Sequence, residues 1–171
     1  LEAAGHEVHR LVRPSTKLPK DVNKENIVTW NDLTGEVIDG SFENFDSIIH
    51  LAGAGIGDKR WSKKRKKLIK DSRVIPTTNL SNIIANLDSP PQALLCGSAV
   101  GFYGNRGTEV LDENSESGDD ILASICREWE ESTKAASDSG IRVVFLRTGI
   151  VVSPLGGALA KLLLPAKLGA G

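Results

Sequence analysis

A chain of 171 residues, 40% hydrophobic and 25% charged, is long enough to bury one core. Its net charge of −1 gives no overall attraction to nucleic acid or to an anionic membrane, and no apolar run reaches bilayer-spanning length. Two cysteines without Cys-x-x-Cys spacing argue against a disulfide framework and a metal site; with no signal-peptide pattern, the expectation is an intracellular, cytoplasmic protein with buried free thiols at Cys96 and Cys126 (an organelle stays open).

The chain opens on Leu1 to Gly5, which reads as the last turn of a helix closed by a glycine C-cap. It contains no methionine and stops at Leu168-Gly169-Ala170-Gly171 in a loop pattern, so a piece of a longer protein is expected. His6 to Arg13 alternates and is ended by Pro14, predicting a strand with Arg13 at its carboxyl end. Ile27 to Trp30 is a second short strand. Ser47 to Ala52 is a buried one, running into Gly53-Ala54-Gly55-Ile56-Gly57.

A helical tract follows. Nine basic residues lie between Lys59 and Arg73, and Leu80, Ile83, Ile84 and Leu87 then form a helix stripe. Pro76 is expected to kink this tract or to open a new helix. The run Ala93-Leu94-Leu95-Cys96 predicts a strand buried on both faces, with Ser98 and Tyr103 past its carboxyl end. After a polar loop from Asn105 to Gly118, Asp119 or Asp120 caps a helix with the stripe Leu122, Ile125, Cys126 and Trp129, ended by Gly140. Ile141 to Leu146 is the last long strand, followed by Arg147, and a final apolar helix is expected from about Ala158 to Leu164.

Strands alternating with helices predict an α/β fold with a doubly wound parallel sheet. Arg13, Trp30, Gly53, Ser98 and Arg147 then all fall at carboxyl ends, the edge where such sheets bind ligands. The three histidines lack ligand spacing with any cysteine and read as structural, so no metal is expected. The basic tract reads as a solvated helix face in a near-neutral chain, so no nucleic-acid partner is expected.

Several segments occur in an order that resembles a known family. They are His50 to Ile56, Arg60-Trp61-Ser62, Asp71 to Val74, Ser98 to Gly104, Cys126 to Glu130 and Leu146 to Val151. Together they are similar to the NAD(P)-dependent epimerase/dehydratase-like "epimerase family" proteins, an atypical branch of the short-chain dehydrogenase/reductase superfamily. The resemblance implies a Rossmann-like domain over residues 1–171 that here lacks its first strand and glycine-rich loop, and most of the C-terminal substrate region.

The resemblance also orders the site residues. Arg13 ends the strand where dinucleotide folds choose their cofactor, and arginine there favours a 2′-phosphate, hence NADP(H); the alternative is a solvated surface arginine. Leu51, Ala52 and Gly53 resemble the segment passing the adenosine ribose, with Trp30 either beside the adenine or in the core, and Arg147 is grouped with them as a cofactor contact. Ser98 and Tyr103 resemble the Ser-x-x-x-x-Tyr-Gly segment of extended members and are the candidate catalytic pair. The superfamily's Tyr-x-x-x-Lys pair is absent from the helix that should carry it, and its active-site asparagine is replaced by Arg73. Two functions stay open: an NADP(H)-dependent oxidoreductase or epimerase acting on an unknown small substrate, or an NADP(H)-binding sensor without turnover.

Overall fold

The computed structural model describes residues 1–19, 22–57 and 59–153, together with Leu159, Leu163, Pro165 to Lys167 and Gly169. The helix expected from about Ala158 to Leu164 therefore lies largely outside the described residues.

Two three-stranded sheets form. In the first, β1 (Arg10–Val12) pairs parallel with β2 (Ile27–Trp30), and β2 pairs antiparallel with β3 (Val37–Asp39) through a register shift between Thr29 and Trp30. In the second, β4 (Ser47–His50), β5 (Ala93–Ala99) and β6 (Arg142–Thr148) lie parallel in that order. A two-residue strand, β7 (Val152–Ser153), follows. β1 and β4 each keep one edge that pairs with no described strand.

The helices are α1 (Lys63–Ala85), α2 (Ile121–Glu131) and α3 (Lys134–Asp138). Ser62 caps α1, its side chain accepting from the Arg65 amide, and Asp120 caps α2 by accepting from the amides of Leu122 and Ala123. One core joins both sheets. Val28 and Trp30 of β2, with Phe42 from the segment after β3, meet Leu94 of β5 and Ile141 just before β6 over Leu80 and Ile84 of α1, with Ala136 of α3. This is the Rossmann-like α/β architecture that the strand–helix alternation predicts.

Four elements differ from the sequence reading. Only Arg10–Val12 of the stretch from His6 to Arg13 is strand, because alternation marks a candidate face while ladder bonds need a partner, and β2 supplies only three. β3 was not foreseen: all three of its side chains are exposed, so it carries no apolar pattern. α1 runs unbroken through Pro76, which is buried in it, so no new helix starts there. The helix expected up to Gly140 is interrupted after Glu131. There the Ser132 hydroxyl donates to the Trp129 carbonyl and the Thr133 hydroxyl to the Glu130 carbonyl (2.7 Å), competing with the helical ladder.

His50 closes β4 and is 4% exposed, with no hydrogen-bond partner for Nε2. Burial pushes its pKa down from 6.5 to about 4, with Asp32 opposing weakly. The imidazole is therefore neutral in the folded protein, whereas the unfolded chain takes up a proton below pH 6.5. Stability from this group is complete above that pH and is lost as pH falls toward about 4, by roughly 3 kcal/mol in all. Denaturant unfolding across pH 4 to 7 is expected to show this loss in the wild type and a flatter profile in His50→Asn. Parallel profiles would assign the acid sensitivity elsewhere.

Candidate functional site at the carboxyl strand ends

The loop after β4 is tied down by α1. Every carbonyl from Ala54 to Ile56 is held by a side chain near or on that helix: Ala54 by Arg73 (3.0 Å), Gly55 by Arg65 and Ile56 by the Trp61 indole (2.8 Å). The Ala54 amide donates to the Ser72 hydroxyl at 2.9 Å. Leu51 is 62% exposed, and Ala52 and Gly53 are also exposed, so this segment offers its surface while the backbone that follows it, from Ala54 to Ile56, is fixed from beneath. A pre-set backbone of this kind costs a ligand little ordering.

Arg73 and Trp129 fill the space behind the loop. The Arg73 guanidinium lies 5.1 Å from the centre of the Trp129 ring and against Gly53, where an added Cβ would sit 3.0 Å from Arg73 Cζ. Trp129 donates to Thr77 at 3.0 Å and closes on Gly97, where an added Cβ would lie 2.9 Å from the ring. The stack from Gly53 through Arg73 and Trp129 to Gly97 fixes how β4, β5, α1 and α2 meet.

A partly buried ion pair lies at the carboxyl ends of β5 and β6. Arg147 of β6 reaches Glu130 of α2 through both oxygens, Nε to Oε1 at 2.9 Å and Nη2 to Oε2 at 2.8 Å. Its Nη1 donates to the Tyr103 phenol oxygen (3.0 Å) and to the Glu113 carbonyl (3.3 Å), and its plane lies 3.6 Å from the Phe102 ring centre. The Glu130 bond raises the Arg147 pKa above the ordinary arginine value. Ser98, 4% exposed, donates to Glu130 Oε1 at 2.6 Å. Burial pushes the Cys96 thiol up to about 12 and raises the Cys126 thiol, with Glu130 adding to both. Neither thiol is a nucleophile at neutral pH.

Tyr103 is held on a rigid shelf. Gly104 adopts φ +66°, which favours glycine, and Gly118 packs so closely that an added Cβ would lie 2.8 Å from Gly104 Cα and the Tyr103 carbonyl. The Gly118 amide donates to the Phe102 carbonyl at 2.9 Å, while Arg127 holds the Gly118 carbonyl.

The structure thus brings Ser98, Tyr103 and Arg147 together, and they share a partner that the sequence reading missed. Glu130 lies one helical turn after Cys126 on the buried stripe of α2; a carboxylate in that register was the available signal. Arg147 has four of its five N–H groups engaged in this cluster, so the structure places it with Ser98 and Tyr103 rather than with Leu51 to Gly53. Trp30 is 3% exposed and packs edge-on to Phe42 at 5.9 Å, which puts it in the core. Arg13, just past β1, is exposed, with a loose contact of 3.8 Å to Asp32. Among the described residues no group of His, Cys, Asp and Glu can hold a metal ion, and no helix is long and apolar enough to cross a membrane.

The family model for the NAD dependent epimerase/dehydratase family matches residues 1–165. The chain belongs to that family. An epimerase family protein of Mycobacterium bovis is 39% identical over 162 residues, covering 95% of this chain and 51% of its own length. The crystal structure of the human epimerase family protein SDR39U1 with NADPH superposes with a TM-score of 0.82 at 30% identity, covering 100% of this chain and 55% of that one. A nucleoside-diphosphate sugar epimerase structure from Corynebacterium glutamicum gives 0.74 at 40% identity, covering 98% and 33%. This epimerase-family chain spans about half the length of the curated relatives it matches.

In this family member the Glu130–Arg147 pair ties α2 to β6. Removing one partner of a buried ion pair costs about 3–5 kcal/mol, and for this partly buried pair the lower end of that range, about 3 kcal/mol, applies. Glu130→Ala is expected to lose that much in urea unfolding, and Glu130→Ala with Arg147→Leu to recover part of it. Additive losses in the double variant would show that the two side chains act independently.

Proposed function

We propose that this chain is the greater part of an NADP(H)-binding domain of an epimerase-family protein acting on a small substrate. The observation that carries the reading is the exposed Arg13 guanidinium at the carboxyl end of β1, on the edge where the Leu51 to Ala54 segment also emerges. NADPH in the human relative's structure supports the same cofactor. When bound, that cofactor supplies a hydride; Arg13 holds its 2′-phosphate, and Leu51, Ala52 and Gly53 let it approach the backbone. The free edges of β1 and β4 support a further parallel strand between them, donated by the parent protein and joining the two sheets into one. Amides on those two edges are then protected from hydrogen exchange in the parent.

A second reading has its own observation. The inward positions of α2 are Ala123, Ile125, Cys126, Trp129 and Glu130, so the face that would carry a tyrosine–lysine relay carries none. The Ser98 hydroxyl already donates to Glu130. A positioned acid–base contributes about 10²–10⁴-fold, and only Tyr103 offers a phenol, with its oxygen oriented by Arg147. Binding without ordinary turnover is the expected behaviour toward standard carbonyl and alcohol substrates.

Titrating NADPH and NADH against the full-length parent, wild type and Arg13→Ala, tests both. A charge-assisted pair to the 2′-phosphate is worth about 1.5–3 kcal/mol, roughly ten- to a hundredfold in affinity. NADPH is expected to bind that much more tightly, with the preference lost in Arg13→Ala. Equal affinity in the wild type overturns the cofactor assignment. Steady turnover on a carbonyl panel that collapses in Tyr103→Phe overturns the sensor alternative and makes Tyr103 the acid.

A further inference from the structure

Two arginines stand behind the strand ends, and they differ in one respect. Arg147 faces a carboxylate through two hydrogen bonds, so its charge is matched inside the protein. Arg73 is half-buried and has no carboxylate within ion-pair distance among the described residues. Burial lowers its pKa from the ordinary arginine value against an opposing effect of Cys126, and the like charge of Arg65 adds a smaller effect in the same sense as burial. A guanidinium stays protonated in proteins, so this charge is carried without a counter-ion.

The way Arg73 is held leaves a particular edge of it unused. Both donors of Nη1 are taken, by the Ala54 carbonyl at 3.0 Å and the Ile69 carbonyl at 2.9 Å. No hydrogen bond from Nε or Nη2 occurs among the described residues. Those two nitrogens form the side-on fork that matches two oxygens of one anion. Trp129 on one side and the Gly53 backbone on the other fix the plane of the fork, so binding would need little reordering. The fork lies beside the candidate site. Arg73 lies against Trp129, the neighbour on α2 of the Glu130 that holds Ser98, and against Gly53, which ends the exposed segment assigned above to the cofactor.

We infer that the Nε and Nη2 edge of Arg73 is an anion subsite that takes the carboxylate of a small substrate. This rests on the NADP(H)-binding reading and adds to it the chemical class of the substrate: a carboxylate-bearing small molecule, in place of a neutral alcohol or ketone. A phosphate presents the same pair of oxygens. The carboxylate is preferred because Arg13 already answers the cofactor's 2′-phosphate. Arg147 has no comparable role, since Glu130 occupies its fork.

The test uses the full-length parent, with malonate and inorganic phosphate as separate probes at matched ionic strength and chloride as the control. Binding is read by calorimetry, with and without saturating NADPH. Malonate is expected to bind saturably in both conditions, to bind at least tenfold more weakly in Arg73→Gln, and to show an intermediate loss in Arg73→Lys, which keeps the charge but not the fork. Malonate that is displaced by NADPH, or phosphate that binds more tightly than malonate, would assign the subsite to a cofactor phosphate and overturn the substrate claim. No saturable malonate binding in the wild type overturns it without recourse to any variant. NADPH affinity measured on the same samples stands separately, so failure of the cofactor reading is distinguished from failure of the carboxylate subsite.

Discussion

The Glu130–Arg147 ion pair is the contact on which the arrangement of the strand ends depends. It joins α2 to β6, and through Arg147 it reaches Tyr103, Phe102 and the Glu113 carbonyl, while through Glu130 it holds Ser98. Taking two charges out of water is costly, and the gain that offsets it needs good geometry and satisfied lone pairs. Both conditions are met here. Glu130 accepts from Arg147 at both oxygens and from Ser98 as well, and the aromatic rings of Phe102 and Tyr103 cover the guanidinium.

The same pair defines what the cluster can do. Ser98 donates its only proton to a carboxylate, so toward any ligand it presents lone pairs rather than a donor. Tyr103 accepts from Arg147 at its phenol oxygen, so that bond does not use the Tyr103 O–H. The cluster is drawn from β5, β6, α2 and the turn after β5, and α2 carries neither tyrosine nor lysine. Such a cluster is rigid by construction, as the Gly104 and Gly118 close approach shows.

The two arginines differ because of what faces each of them. Both sit near the ends of parallel strands, both lie over aromatic rings, and both donate to backbone carbonyls. Only one has a carboxylate across from it. A matched arginine holds structure together, whereas a half-buried unmatched one retains a field directed at whatever enters next to it. The basic first turns of α1 do not share this property throughout, since Lys67 pairs with Asp71 and Lys70 with Glu128.

The sequence by itself determined the parallel α/β architecture and the family. Apolar runs such as Ala93 to Cys96, helix stripes such as Leu80 with Ile84, and caps such as Asp120 are local signals, set by periodicity and by backbone hydrogen-bonding within a few residues. It also put Arg13, Trp30, Gly53, Ser98 and Arg147 at carboxyl strand ends, because in a parallel sheet every carboxyl end points the same way. What it left undecided was partnership. Glu130 meets Arg147 across 17 positions and Ser98 across 32, and Trp129 meets Thr77 across 52, separations that no local pattern encodes. Trp30 in the core, β3 without an apolar face, and α1 unbroken at Pro76 were decided in the same way, by what the folded chain laid against each segment. Charge identity is written in the sequence; whether a charge is matched is a property of distance, and only the tertiary structure sets distance.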